Sequence, residues 1–159
     1  MEEASATGSI IDERPEPLCD DFATLDQVMF HIATKYHYDI YVCLPPTSPL
    51  RTEDHVRVAL ALFMRSECDS LVSVTEEKKA VWRLNEDGYL KPIVERTVNR
   101  QQCTPVYISN GAIFMTKRDV LLKTHRKISG LTMPYIMDTR SSLDIHSEED
   151  LRIAEALSS

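Results

Sequence analysis

No stretch of the chain stays apolar for the roughly 18 residues that a bilayer-spanning helix requires. Its first eleven residues, MEEASATGSII, lack the basic-then-apolar order of a secretory leader. Positive charge is also short: 18 Lys and Arg stand against 25 Asp and Glu, a formal net charge of −7. That balance argues against a nucleic-acid surface, because binding a phosphate backbone needs a basic face. The four cysteines, Cys19, Cys43, Cys68 and Cys103, lie far apart, with no CxxC and no histidine at zinc spacing. Cys43 sits inside an apolar run and reads as a small buried hydrophobe. Internal repeats and low-complexity tracts are missing too. These absences predict a soluble, reduced, cytoplasmic protein with no membrane and no nucleic-acid partner.

What is present suits one domain over 1–159, since 159 residues at 43% hydrophobic can bury a core but not two comfortable ones. Leu25, Val28, Met29, Ile32, Ala33 and Tyr36 fall on one helical face, and Thr24 with Gln27 forms a capping box at its start. Ile40–Leu44 is apolar without alternation, as a strand buried on both faces would be. Thr52 is placed to cap a second helix that carries Val56, Ala59, Leu60 and Phe63 on one side. Ser70–Val74 reads as another strand, and this helix–strand rhythm predicts crossover units and a parallel sheet. Ala80–Leu84 and Tyr89–Ile93 flank the turn-rich Asn85-Glu86-Asp87-Gly88 and predict a hairpin-like excursion. Beyond it the spacing predicts a strand over Val106–Thr116, a short helix over Lys117–His125 and a strand over Pro134–Asp138. A short strand Leu143–Ile145 should run into a helix capped at Ser147.

Three of the eight prolines, Pro45, Pro46 and Pro49, fall in five positions directly after the first strand. In parallel α/β sheets ligands bind beyond the carboxyl ends of strands, and three polar segments sit at such places. They are PPTSPLR (residues 45–51), Ser109-Asn110-Gly111 and Asp144-Ile145-His146. Each alone has a bland reading, as a rigid turn or a capped helix start. Lys79 alone is one member of the solvated Glu76–Lys79 charge run, and Arg100 alone is a surface ion-pair partner.

Taken together and in order, these segments make the chain resemble the acylneuraminate cytidylyltransferases. The residues that carry the resemblance are RPE (14–16), PTSPLR (46–51), DSLVSV (69–74), RQQ (100–102), NGAIF (110–114) and LDIHSEEDLRIAE (143–155). The resemblance implies an α/β, Rossmann-like nucleotide-diphospho-sugar transferase fold, mostly parallel in its sheet, with helices on both faces. It also implies an inserted dimerisation arm over 76–104 and a homodimer. The implied reaction joins CTP to a nine-carbon acidic sugar to give the CMP-sugar and pyrophosphate, with Mg2+ as cofactor. Asp144, Lys79 and Arg100 take the catalytic positions. Thr24, Thr47, Ser48, Arg51, Asn110 and Phe114 take the substrate-binding ones, and Asp144 with His146 takes the metal pair. The physics agrees, since two anionic substrates need guanidinium and ammonium groups to meet, and Mg2+ neutralises the departing pyrophosphate.

The chain departs from the family pattern in four respects. Pro45 stands where most of the family has glutamine, and Phe114 replaces a tyrosine. His146 stands in place of a second carboxylate, a softer ligand that suits Mn2+ or Zn2+ better than Mg2+. No basic Gly-rich loop of the RGGSK type precedes these segments, so the chain reads as N-terminally truncated by about two βα units, on the order of 60 residues. The expectation is that this chain alone binds CTP feebly. The alternatives are a non-catalytic remnant or dimerisation subunit of such an enzyme, or a cytidylyltransferase for legionaminic acid or KDO.

Overall fold

Thr24 and Thr52 open the first two helices in the same way. In the computed structural model, which describes residues 8–93 and 104–158, each hydroxyl accepts the backbone N–H three residues on. The third helical residue then returns a side-chain acceptor to the capping backbone N–H: Gln27 to Thr24, and His55 Nδ1 to Thr52 at 3.0 Å. Helix α1 runs Leu25–Lys35 and helix α2 runs Glu53–Arg65, with strand β1, Ile40–Cys43, between them. Strand β2 covers Ser70–Glu77, β3 and β4 are Trp82–Leu84 and Leu90–Pro92, and β5 is the long Val106–Lys117. Helix α3 (Arg118–Thr124), strand β6 (Thr132–Ile136) and helix α4 (Glu148–Ser158) complete the order.

The main sheet has the order β1-β5-β2-β6. Strand β5 is antiparallel to both β1 and β2, and β2 is parallel to β6, so three strands point one way with β5 reversed among them. Neighbouring residues of β1 go to opposite faces. Ile40 packs on a cluster of Ala59, Phe63, Leu71, Ile113, Met115 and Met137, under α2. Tyr41 joins Met29, Ala33 and Leu121, under α1 and α3. Helices therefore cover both faces.

Two expectations need correction. The strand expected at Pro134–Asp138 begins two residues earlier, because Thr132 and Met133 already pair with Ser70 and Leu71. Leu143–Ile145 is not a strand. The Ile145 N–H bonds to the Thr47 carbonyl of the proline loop at 2.8 Å, so its hydrogen bond is spent on a loop and not on a ladder. Among the described residues the excursion after β2 is a separate two-stranded hairpin, β3 with β4. Glu76 and Glu77, at the start of the expected arm, still belong to the main sheet and pair with Tyr107 and Val106.

Urea unfolding should separate the two sources of stability seen here. Thr52→Ala removes one cap and is expected to cost about 1 kcal/mol. Leu71→Ala empties a fully buried site and is expected to cost about 2–5 kcal/mol. Equal losses would show that the core relaxes around residue 71.

Candidate active site

Between Val72↔Phe114 and Val74↔Ser109, strand β2 advances two residues while β5 advances five. The four residues Asn110–Ile113 therefore face the single Ser73, a bulge with a surplus of three, and buried backbone groups in such a bulge need partners from elsewhere. Side chains supply them. The Asn110 Oδ1 accepts the Ala112 N–H at 3.2 Å and the Ser73 hydroxyl at 2.6 Å, while the Ser73 Oγ accepts the Ile113 N–H at 2.7 Å. The Ala112 carbonyl accepts from Arg51 Nη1 at 2.8 Å, and the same nitrogen donates to the Pro45 carbonyl at 2.8 Å.

The proline loop is thus bolted to the bulge through Arg51. Burial lowers the Arg51 pKa from its ordinary value, yet a guanidinium keeps its charge. Thr47 accepts Ile145, as above, and this brings the 142–146 segment alongside. Asn110 Nδ2 donates to Ser142 Oγ at 2.7 Å, and Ser142 donates to the Asp138 carbonyl at 2.7 Å. The Ser141 N–H holds the Asp138 carboxyl below its ordinary value. Asp144 lies flat on Gly111: a Cβ at that glycine, whose φ is +74°, would sit 2.6 Å from Asp144 Oδ2. His146 Nε2 is 2.9 Å from the same oxygen.

Two polar atoms in this cluster are buried without a hydrogen-bond partner, Ser48 Oγ and Asp144 Oδ1. Orphaned groups of this kind cost about 1–3 kcal/mol each unless a ligand, ion or water satisfies them. Among the described residues no group of three or more His, Cys, Asp or Glu gathers to hold a metal. Among the described residues Asp144 and His146 would hold such an ion, the carboxylate fitting Mg2+ completed by phosphate oxygens and water and the imidazole fitting it less well.

Thr47, Ser48, Arg51, Asn110, Asp144 and His146 therefore meet beyond the carboxyl ends of β1 and β6, beside the bulge opposite Ser73 in the middle of β2. Asn110 is 7% exposed with both acceptor positions of Oδ1 used, so one Nδ2 hydrogen is what it has left for a ligand. Thr24 stands at the start of α1, with its hydroxyl engaged by Gln27. Phe114 pairs across from Cys43 and lies beneath the ammonium of Lys127, 5.1 Å from the ring centre. Lys79 is exposed and pairs with Glu77 at 3.4 Å. Arg100 lies outside the described residues. Ser142 and Lys127 carried no motif, and Ser73 lay within DSLVSV but was not singled out as a site residue. Ser73 and Ser142 act only through a bulge that sequence spacing does not reveal.

Fold and rim together define a class, the α/β folds with a mixed sheet, helices on both faces and a polar rim beyond the strand ends. Two solved structures share the fold. One is the 4-diphosphocytidyl-2C-methyl-D-erythritol synthase of Anaerococcus prevotii, 14% identical, with TM-score 0.62 over 84% of this chain and 65% of that one. The other is a CMP:2-keto-3-deoxy-manno-octonic acid synthetase complexed with CTP, 15% identical, with TM-score 0.66 over 99% of this chain and 75% of that one.

Within the class, the chain is a relative of the N-acylneuraminate cytidylyltransferases, as its motifs implied. That of Escherichia coli O18:K1:H7 is 31% identical over 147 residues, 89% of this chain and 35% of the relative. That of Streptococcus agalactiae serotype V is 27% identical over 89% of this chain and 36% of the relative. A post-translational flagellin modification protein B of Campylobacter coli is 28% identical over 77% and 54%. The chain thus spans about a third of the length of the cytidylyltransferases it matches. No family model matches it.

Gly111→Ala should cost more than Gly88→Ala. Both glycines have positive φ, but nothing lies within 4 Å of a Cβ at Gly88. The left-handed backbone alone costs about 1–3 kcal/mol, and at Gly111 the displacement of Asp144 adds to it. Equal losses in thermal unfolding would show that Asp144 moves aside freely.

Proposed function

We propose that this chain is the sugar-side part of a cytidylyltransferase that couples CTP to a sialic-type nine-carbon acidic sugar, releasing pyrophosphate. The observation that carries the reading is Asp144. Its Oδ1 is buried and unpartnered while its Oδ2 rests on Gly111 beside His146. A carboxylate held in this way is a ready ligand for a hard cation at a rim built from Arg51, Thr47, Ser48 and Asn110. When bound, Mg2+ would neutralise charge on the departing pyrophosphate. The chain's own part is to fix the carboxylate, to keep the proline loop rigid through Arg51, and to offer the Ser48 hydroxyl and the spare Asn110 N–H to the sugar. Lys79 and Arg100 are assigned to the triphosphate side. The names of the relatives support CTP and an acylneuraminate as substrates.

The reading includes a cytoplasmic homodimer. No described helix is long and apolar enough to cross a membrane. The β3–β4 hairpin exposes Trp82, Leu84, Tyr89, Leu90 and Ile93, and a free two-stranded hairpin is marginal in water. A second copy covering that apolar face would remove the liability.

Three measurements test this. Pyrophosphate release, however slow, should require CTP, N-acetylneuraminate and Mg2+ together, and Asp144→Ala should lower it about a hundredfold. Release that ignores the acidic sugar would overturn the reading. His146→Asp should tighten Mg2+ binding measured by calorimetry with a cytidine nucleotide present, because an imidazole nitrogen is a poorer ligand for a hard ion. Unchanged affinity would remove His146 from the metal. Light scattering at micromolar concentration should show a dimer, and a monomer there would contradict the arm's role.

A further inference from the structure

Lys127, in the loop between α3 and β6, is a cation set among apolar and acidic neighbours close to the proposed sugar site. Its ammonium lies 5.1 Å above the Phe114 ring and 3.3 Å from Asp26 Oδ1, with the side chain 23% exposed. Phe114 belongs to the NGAIF segment that enters the bulge, and it pairs across the sheet with Cys43, the last residue of β1 before the proline loop. Burial pushes the Cys43 thiol up, and the charges of Lys127 and Arg51 both oppose that push, so the two cations bear on one spot.

The partnership with Asp26 is built to be exchanged. Asp26 Oδ1 also accepts the Lys127 backbone N–H at 2.9 Å. Asp26 is the second residue of α1, where the unpaired N–H groups and dipole of the helix favour a negative charge. If the ammonium swings away, the carboxylate keeps a hydrogen bond and a favourable field. With side chains 23% and 35% exposed the pair still meets water, and its strength is modest. The ammonium over an aromatic face, by contrast, stays positioned while a third partner approaches. Phe114 has no hydroxyl to offer a sugar, and Lys127 supplies a polar head above the same ring.

We infer that Lys127 is the group that receives the carboxylate of the acidic sugar, trading its side-chain contact with Asp26 for the substrate. The inference rests on the proposed function and names the specificity residue within it. A neutral sugar of the same shape would leave Lys127 on Asp26 and lose the charge-assisted bond.

The test is calorimetric binding of N-acetylneuraminate and of its neutral methyl ester, with CTP and Mg2+ present. The unaltered chain should prefer the acid by about tenfold, the scale of one hydrogen bond to a charged group. Lys127→Met should abolish the preference while CTP binding stays the same, and Lys127→Arg should keep it. Asp26→Asn, which frees the ammonium, should tighten the acid severalfold and leave the ester unchanged. Circular dichroism of each variant separates binding from folding. A Lys127→Met protein that still prefers the acid would overturn the assignment while the proposed function stands. An unaltered chain that binds neither sugar would overturn both.

Discussion

The bulge of β5 opposite Ser73 is the constraint on which the rim depends. Three surplus residues in a buried strand leave backbone N–H and C=O groups that the ladder cannot satisfy. Ser73, Asn110 and Arg51 satisfy them, and each does so while holding a second element. Arg51 fixes the proline loop through Pro45, Asn110 fixes the 138–142 turn through Ser142, and Gly111 provides the bare backbone on which Asp144 rests. The prolines after β1 make sense in this setting. They remove freedom from a loop whose single guanidinium anchor would otherwise have to offset more chain entropy.

A chain with net charge −7 is an unusual host for the two anionic substrates we propose. Local arrangement resolves the difficulty. Arg51 and Lys127 are drawn to one end of the sheet, and both are partly removed from water, where a charge interacts more strongly than on an open surface. Part of the acid sits in helix first turns, where it favours the helix. Net charge therefore argues about the class of partner, as it argues against nucleic acid, but does not set the potential at the rim.

Several residues that read as ligand groups turn out to do structural work first. The Thr24 hydroxyl caps α1, Arg51 braces a loop, and Asn110 spends both acceptor positions of its side-chain oxygen on the bulge. Such bracing is compatible with a role in binding, because a site is as precise as the groups that hold its side chains. It also means that loss of function on substitution at these positions would not by itself identify a contact with substrate.

Local signals carried the helices and most strands. Capping at Thr24 and Thr52, the apolar periodicity of α1 and α2, the unbroken run of β1 and the hairpin turn at 85–88 are all determined within a few residues, so the sequence alone determined them. The order of PTSPLR, NGAIF and DIH along the chain likewise pointed to one rim and one family. The reversal of β5, the two-residue shift of β6 and the loss of a strand at Leu143–Ile145 were not legible, because strand partners lie tens of residues away and nothing local names them. The same holds for Lys127 on Phe114 and for Asp144 on Gly111. Those contacts exist because a sheet brings distant backbone together, and only the tertiary structure decided which side chains would share the space.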